Sequence, residues 1–212
     1  MIVADVPLRS LTTATARRFL DVQAKSSTAL DWNKRAISRY GLPPEDIWTR
    51  LWRGPSLPSH RQTWYKLLLN AMPLGARIEF FAPDDAHCPF CPNVVQTLRH
   101  FVSACPIAQA VWREFATIFD LPSPPSLTHR LYSWPSSSSC FLGRAYGYRL
   151  QAGHSVALHL LWVAVVQARF DGTKVTPSSM PPRLRFLLRQ HFLTLSRSPR
   201  WCRFFLFALP LI

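Results

Sequence analysis

The side chains with most chemistry to offer sit in one stretch, HCPFCPNVVQTLRHFVSACP, which holds three of the chain's five cysteines beside a histidine. Cys88, Cys91, His100 and Cys105 follow the pattern C-x2-C-x8-H-x4-C. A structural zinc ion takes four tetrahedral ligands from thiolate sulfur and imidazole nitrogen, and CxxC is the shortest turn that sets two sulfurs on one ion. The spacing therefore predicts a closed CCHC zinc site with no coordination position left for water. Three thiolates and one neutral imidazole around a divalent ion would leave a net charge of about −1.

Competing chemistries need features this sequence lacks. A redox CxxC belongs in a thioredoxin-like βαβ setting, and the flanks here have helical periodicity instead. A zinc deaminase uses a CxxC pair with an upstream HxE, and no HxE occurs in the chain. The bland alternative makes Cys88, Cys91 and Cys105 small buried hydrophobes and His100 a surface residue; four ligand types at workable spacing argue against it. His87 is expected to be exposed, because adjacent residues seldom point at one ion. Asp84 and Asp85 read as a polar turn entering the cysteine loop. Cys140 and Cys202 are left as ordinary thiols, and the odd cysteine count suits a reducing compartment better than a disulfide framework.

The elements that must position these ligands are helical. Thr97 is placed to cap a short helix carrying Leu98, Phe101 and Val102 inward, with His100 projecting from it. Cys105 precedes Pro106 and the strongest helical pattern, IAQAVWREFATIF, with Ile107, Ala110, Val111, Phe115, Ile118 and Phe119 on one stripe. A thiolate there would sit at a helix N-terminus, where negative charge gains about 0.3 to 1 kcal/mol. Upstream, LPPEDIWTRLWRG predicts a short helix with Ile47, Trp48, Leu51 and Trp52 on one face. Ser59 is placed to cap a second helix, HRQTWYKLLLNA, which Pro73 stops. Residues 9 to 40 read as two more short helices. Downstream, GHSVALHLLWVAVVQARFDG predicts a buried helix ending near Gly172.

The expected fold is thus mainly α: a small helical CCHC domain flanked by short helices, then a second helical segment and a basic tail. Its divisions are an N-terminal helical segment over 1–45, the zinc domain over 46–121, a Pro/Ser-rich linker over 122–140, a helical segment over 141–176 and a basic tail over 177–212 whose order the composition leaves open. No internal repeat is visible. The N-terminus has no signal-peptide pattern, and the longest apolar runs fall short of the roughly 18 residues that span a bilayer. The expectation is an intracellular protein, nuclear or cytoplasmic, without membrane contact.

Charge indicates the partner class. Lys plus Arg number 25 against 11 Asp plus Glu, for a net +14 dominated by arginine. A planar guanidinium pairs bidentately with phosphate and stacks on bases, so RNA or DNA is the expected partner. The candidate contacts near the cysteine loop are Arg50, Arg53, His60, Arg61, Lys66, Arg77, Arg99 and Arg113. An exposed Trp52 or Tyr65 would add base stacking, although the apolar spacing favours packing for the aromatic residues of this region.

The run from IWTRLWRG to WREFATIF, about residues 46 to 120, resembles the zinc-binding domain that follows the reverse transcriptase in non-LTR retrotransposon proteins. The matching features, in order, are LWRGPSLPSHRQTWYKLLLNAMPLGARI, CPFC, TLRHFVSACP and IAQAVWREF. LHLLWVAVVQARFDGT is similar to the Trp-containing helix that often follows this domain. Met72-Pro73-Leu74 stands where the family has Leu-Pro-Thr. No YxDD motif is present, and a polymerase palm needs such carboxylates to hold two metal ions. The resemblance implies a terminal retroelement module without catalytic domains, either independent or a decayed remnant, with reverse transcriptase domains encoded upstream as potential partners. A zinc-stabilised domain that docks protein through its Trp-rich faces is the alternative, and a metal-dependent hydrolase would need an open site that the four ligands do not leave.

Overall fold

The computed structural model describes residues 47–78, 86–132 and 144–205. All of them belong to the second of two compact units, Pro43–Ile212. The helices expected over residues 9 to 40 lie outside the described residues.

The order is α1 (Ile47–Arg53), α2 (Pro58–Leu68), α3 (Gly75–Ile78), a π-helical turn (His100–Ala104), α4 (Pro106–Ile118), α5 (Leu127–Tyr132), α6 (Arg144–Phe170), a single 3-10 turn (Pro177–Ser179), α7 (Met180–Ser196) and α8 (Cys202–Phe205). The mainly α expectation holds. Among the described residues the β pairing is one isolated antiparallel bridge, His87 to Val95.

Apolar residues surround α1, so only part of it can face inward. Ile47 and Leu51 are fully buried, whereas Trp48 and Trp52 are 41% and 53% exposed. The four were expected on one face; the next stripe of the helix points outward instead. Gly54 closes α1 tightly against α6: Gln151 Nε2 donates to the Arg50 carbonyl at 2.6 Å, and a Cβ on Gly54 would lie 2.0 Å from that same nitrogen. Helix α2 begins at Pro58, one residue before the expected Ser59 cap, with Leu57 extended ahead of it. Pro suits this first position because its missing N–H has no intrahelical partner to lose. Trp64 and Leu67 of α2 are buried. Met72 and Leu74, at the family departure, are also buried and fill the core.

Helix α6 is the centre of the packing, with α2, α4 and α7 laid against it. It runs 27 residues and starts nine residues before the expected Gly153. Gly153 does not break it, because the position is one of close approach: a Cβ there would lie 2.4 Å from the Phe119 ring. The stop is Gly172, whose φ of +61° is left-handed. By length and mean hydropathy (1.2 over the best window) α6 could cross a membrane, but 72% of that window is buried inside the protein, as in a core helix.

One expectation based on composition is corrected and one is completed. The Pro/Ser-rich stretch expected to be a linker contains α5, whose Leu131 and Tyr132 are buried. The stretch read as a basic tail, its order left open, carries the 17-residue helix α7 and then α8. In α7, Leu184, Leu188, His191, Phe192 and Leu195 face inward at helical spacing, while Arg185 and Arg189 face solvent. Burying each such Leu or Phe is worth about 1.5–3 kcal/mol, which outweighs local charge repulsion among exposed arginines.

Candidate metal centre

The cysteine loop forms a compact knuckle. Cys88 N donates to the Val94 carbonyl at 2.7 Å, Gln96 N to Ala86 at 2.9 Å, and Cys91 N to Cys88 at 3.3 Å. Asn93 takes the left-handed turn at φ 59°, a conformation asparagine tolerates better than most residues. Gly75 is required beside the knuckle, since a Cβ there would fall 1.8 Å from the Ala86 carbonyl oxygen.

The third and fourth donors come from the next two elements. Thr97 Oγ1 accepts from the His100 backbone N–H at 3.1 Å, the expected cap, and the chain then winds as a π-helical turn through Ala104. Cys105 is extended (φ −64°, ψ 135°) immediately before Pro106 opens α4. Trp112 Nε1 donates to the Val102 carbonyl at 2.8 Å and so fastens the π-helical turn to α4.

These elements bring all four predicted donors together. One ligand atom from each of Cys88, Cys91, His100 and Cys105 lies within 4.8 Å of the others. Cys105 Sγ is 3.9 Å from both Cys88 Sγ and Cys91 Sγ. An ion with metal–sulfur bonds of about 2.3 Å at tetrahedral angles would hold its sulfurs about 3.8 Å apart, so the spacing fits. His100 is buried, and its Nε2 has no hydrogen-bond partner, as a nitrogen reserved for a metal would be.

Electrostatics point the same way. The Cys105 thiol's hydrogen bond holds the Cys88 thiol well below the usual range against the opposing effect of burial, with smaller help from the Phe90 amide and the His100 ring. That same hydrogen bond pushes Cys105 up, as do burial and the Cys88 charge, while the Ile107 and Ala108 amides of α4 pull it back. Burial and the Cys88 charge push Cys91 up. Three sulfurs this close cannot all carry charge unaided, and a divalent cation among them removes that conflict.

The expected phosphate contacts are placed unevenly. Arg53, Lys66, Arg99 and Arg113 are exposed. Arg61 is half-buried and donates to the Ser56 carbonyl at 3.0 Å. Arg50 is corrected: it is buried, and Nη1 donates to the Tyr132 carbonyl at 3.0 Å, so it joins α1 to α5. His60 is also buried, its ring stacked 4.8 Å from His191 and tilted against His159 at 4.5 Å. The side chain of Arg77, like Asp84 and Asp85, lies outside the described residues. Arg50 and Arg53 border one cleft and Arg113 another, so these candidates form no single patch. Trp52 and Trp48 are exposed beside half-buried Tyr65, with ring centroids 5.5 and 6.2 Å from it.

Sequence reasoning missed the support given by α6 to the knuckle. Arg169 Nη2 donates to Gln96 Oε1 at 2.7 Å and to the His87 carbonyl at 3.1 Å, across 73 and 82 residues. Only an unusual arginine ending an otherwise apolar helix hinted at this.

Residues 28–112 match the family model described as zinc-binding in reverse transcriptase. The match contains all four donors and Trp112, and it begins earlier than the resemblance read from residue 46. No curated protein and no solved structure gives a significant match.

Proposed function

We propose that this chain is a structural zinc module that binds RNA or DNA through arginine and has no polymerase activity of its own. The observation that carries the reading is a closed Cys3His donor set together with a marked excess of arginine over acid among the described residues. Among the described residues, Glu114, Asp120 and Asp171 are the only acids, against eighteen Lys and Arg. Thiolate-rich tetrahedral sites favour zinc over the hard divalent ions, and four protein ligands make its role structural. The ion's contribution is to fix the knuckle, the π-helical turn and the start of α4 as one rigid unit. Exposed Trp48 and Trp52 give unpaired bases a surface to stack on, beside Arg53.

Metal analysis of the purified chain tests the first half: about one zinc per chain is expected, lost in Cys88→Ser or Cys105→Ser with unfolding of the knuckle. Retention of zinc by both variants would mean the ligands are misassigned. Salt titration tests the second. Neutralising six phosphates of duplex DNA would give a slope of log affinity against log salt of about −5. Binding without salt dependence, or no binding at low salt, refutes the phosphate reading and favours a protein-docking domain.

A further inference from the structure

We infer that the cleft between α1, α6 and the Arg200–Phe204 turn is a binding site for the phosphate backbone of a single-stranded nucleic acid. This rests on the nucleic-acid reading above and assigns it a location that includes residues well outside the family-matched region. The cleft has a volume of about 350 Å³ and is bordered by the exposed Arg53, Arg200 and Arg203 and the buried Arg50, with Tyr148, Trp201 and Phe204 as its aromatic walls. The three exposed arginines come from segments almost 150 residues apart, and among the described residues no Asp or Glu lines the cleft. No ion pair occupies any of these three among the described residues.

The guanidinium groups are positioned in advance. Arg200 lies over the Trp201 ring with its Cζ 4.7 Å from the centroid, and Arg203 lies over the Phe204 ring at 4.7 Å. Trp201 and Phe204 are themselves held by Tyr148, at centroid distances of 5.1 and 4.8 Å. Arg200 Nη2 also donates to the Arg53 carbonyl at 3.0 Å, which ties the turn to the end of α1. A guanidinium laid on an aromatic face keeps in-plane N–H donors for a bidentate phosphate contact, and less side-chain entropy is lost when the contact forms.

Size and placement select the occupant. A few hundred Å³ is the scale of a small-ligand pocket, which admits a nucleotide unit of a single strand and is too narrow for a duplex. Three cations in one cleft suit successive phosphates better than one free phosphate. Thr49 and Arg53 reach the cleft from one stripe of α1, and exposed Trp48 and Trp52 form the neighbouring stripe. A strand leaving the cleft along α1 would thus meet surfaces that stack with bases.

The test is fluorescence anisotropy with the full zinc-loaded chain and labelled 12-mers of oligo-U and oligo-dT, titrated over a range of salt. Each single-strand phosphate contact contributes about 0.7 to the slope of log affinity against log salt. Arg200→Gln with Arg203→Gln should therefore flatten the slope by about 1.4, and adding Arg53→Gln should bring the loss to about 2. Arg200→Lys with Arg203→Lys should keep the slope, and Arg189→Gln, on the exposed face of α7, should leave it unchanged. Zinc content and circular dichroism establish that the variants are folded. Binding by the wild type with an unchanged slope in the Gln variants overturns the cleft while the general nucleic-acid reading stands. No binding by the wild type overturns both. Full competition by equimolar inorganic phosphate would show an anion pocket and not a strand site, and would overturn the inference.

Discussion

Acid should unfold this protein well before its few carboxylates titrate, because histidines at the helix junctions are buried uncharged. His60 is lowered to about 3 by burial, then by the charges of His191 and His159. His191 is lowered to about 4, also chiefly by burial. His154, wholly buried, is lowered to about 3 by burial and further by Arg50 and His129, although its bond to the Arg130 carbonyl pulls upward. Nε2 of His154 donates to that carbonyl at 3.0 Å and Nε2 of His191 to the Pro55 carbonyl at 3.2 Å, which leaves each Nδ1 bare and buried. In the unfolded chain a histidine titrates near 6.5, so below that pH the unfolded state binds more protons than the folded state. The stability these groups give is complete above about pH 6.5 and falls as the pH drops toward 3 to 4. At pH 5 each forfeits about 2 kcal/mol, so the three together forfeit about 6, comparable with the whole stability of a typical domain. Urea unfolding followed by tryptophan fluorescence, at pH steps from 8 to 5, should show this loss. Release of zinc bound as proposed would add a slope of the same sign, so the decisive quantity is a difference: His60→Phe should reduce the dependence at pH 5 by about one proton, or 1.4 kcal/mol per pH unit. An unchanged dependence in that variant would refute the buried-neutral assignment.

Two further substitutions test the packing. Gly153→Ala would gain about 0.5 to 1 kcal/mol of helix propensity but force a methyl to 2.4 Å from the Phe119 ring, so overpacking of about 1 to 3 kcal/mol should win and lower the urea midpoint; a raised midpoint would mean that the ring yields freely. Arg50→Met should cost about 2 kcal/mol by removing the buried bond to the Tyr132 carbonyl, while the salt dependence of the proposed nucleic-acid binding stays at the wild-type value; a flatter slope would return Arg50 to the phosphate-contacting set.

How much of this was legible in the sequence depended on whether the signal was local. The donor set was, because ligand type and spacing within eighteen residues nearly determine a closed site, and the Thr97 cap and the Pro106 helix start are local as well. Long-range contacts were not. The donation by Arg169 to Gln96, and by Arg200 to the Arg53 carbonyl, depends on how α6 and the terminal turn return to α1 and the knuckle, and no spacing rule encodes it. Helix α7 is a different kind of miss, since Leu184, Leu188, His191, Phe192 and Leu195 are a periodic signal that high arginine content obscured. In α1 the failure was of angular resolution: a helix with Ile47, Trp48, Leu51 and Trp52 has more apolar surface than its partner can cover, and composition does not say which stripe is left out.

That uncovered stripe bears on how metal and surface are connected. The knuckle is tied to the C-terminal end of α6 by Arg169, while the cleft is built on the N-terminal part of the same helix through Tyr148 and Gln151. Between them, Trp64 and Trp112 enclose His154 with ring centroids 4.8 and 5.9 Å away, and Trp64 Nε1 donates to the Leu131 carbonyl at 2.9 Å. With zinc held by the cluster as proposed, loss of the ion would free the π-helical turn and, through the Trp112 bond to Val102, loosen one wall of the His154 enclosure. None of the four donors lines the cleft, yet the spacing of its arginines is set by helices whose packing includes that wall. On the proposed zinc reading the two parts would be coupled through α6 as a shared rigid element, and any surface function would inherit a dependence on metal from the core, not from contact with the ion.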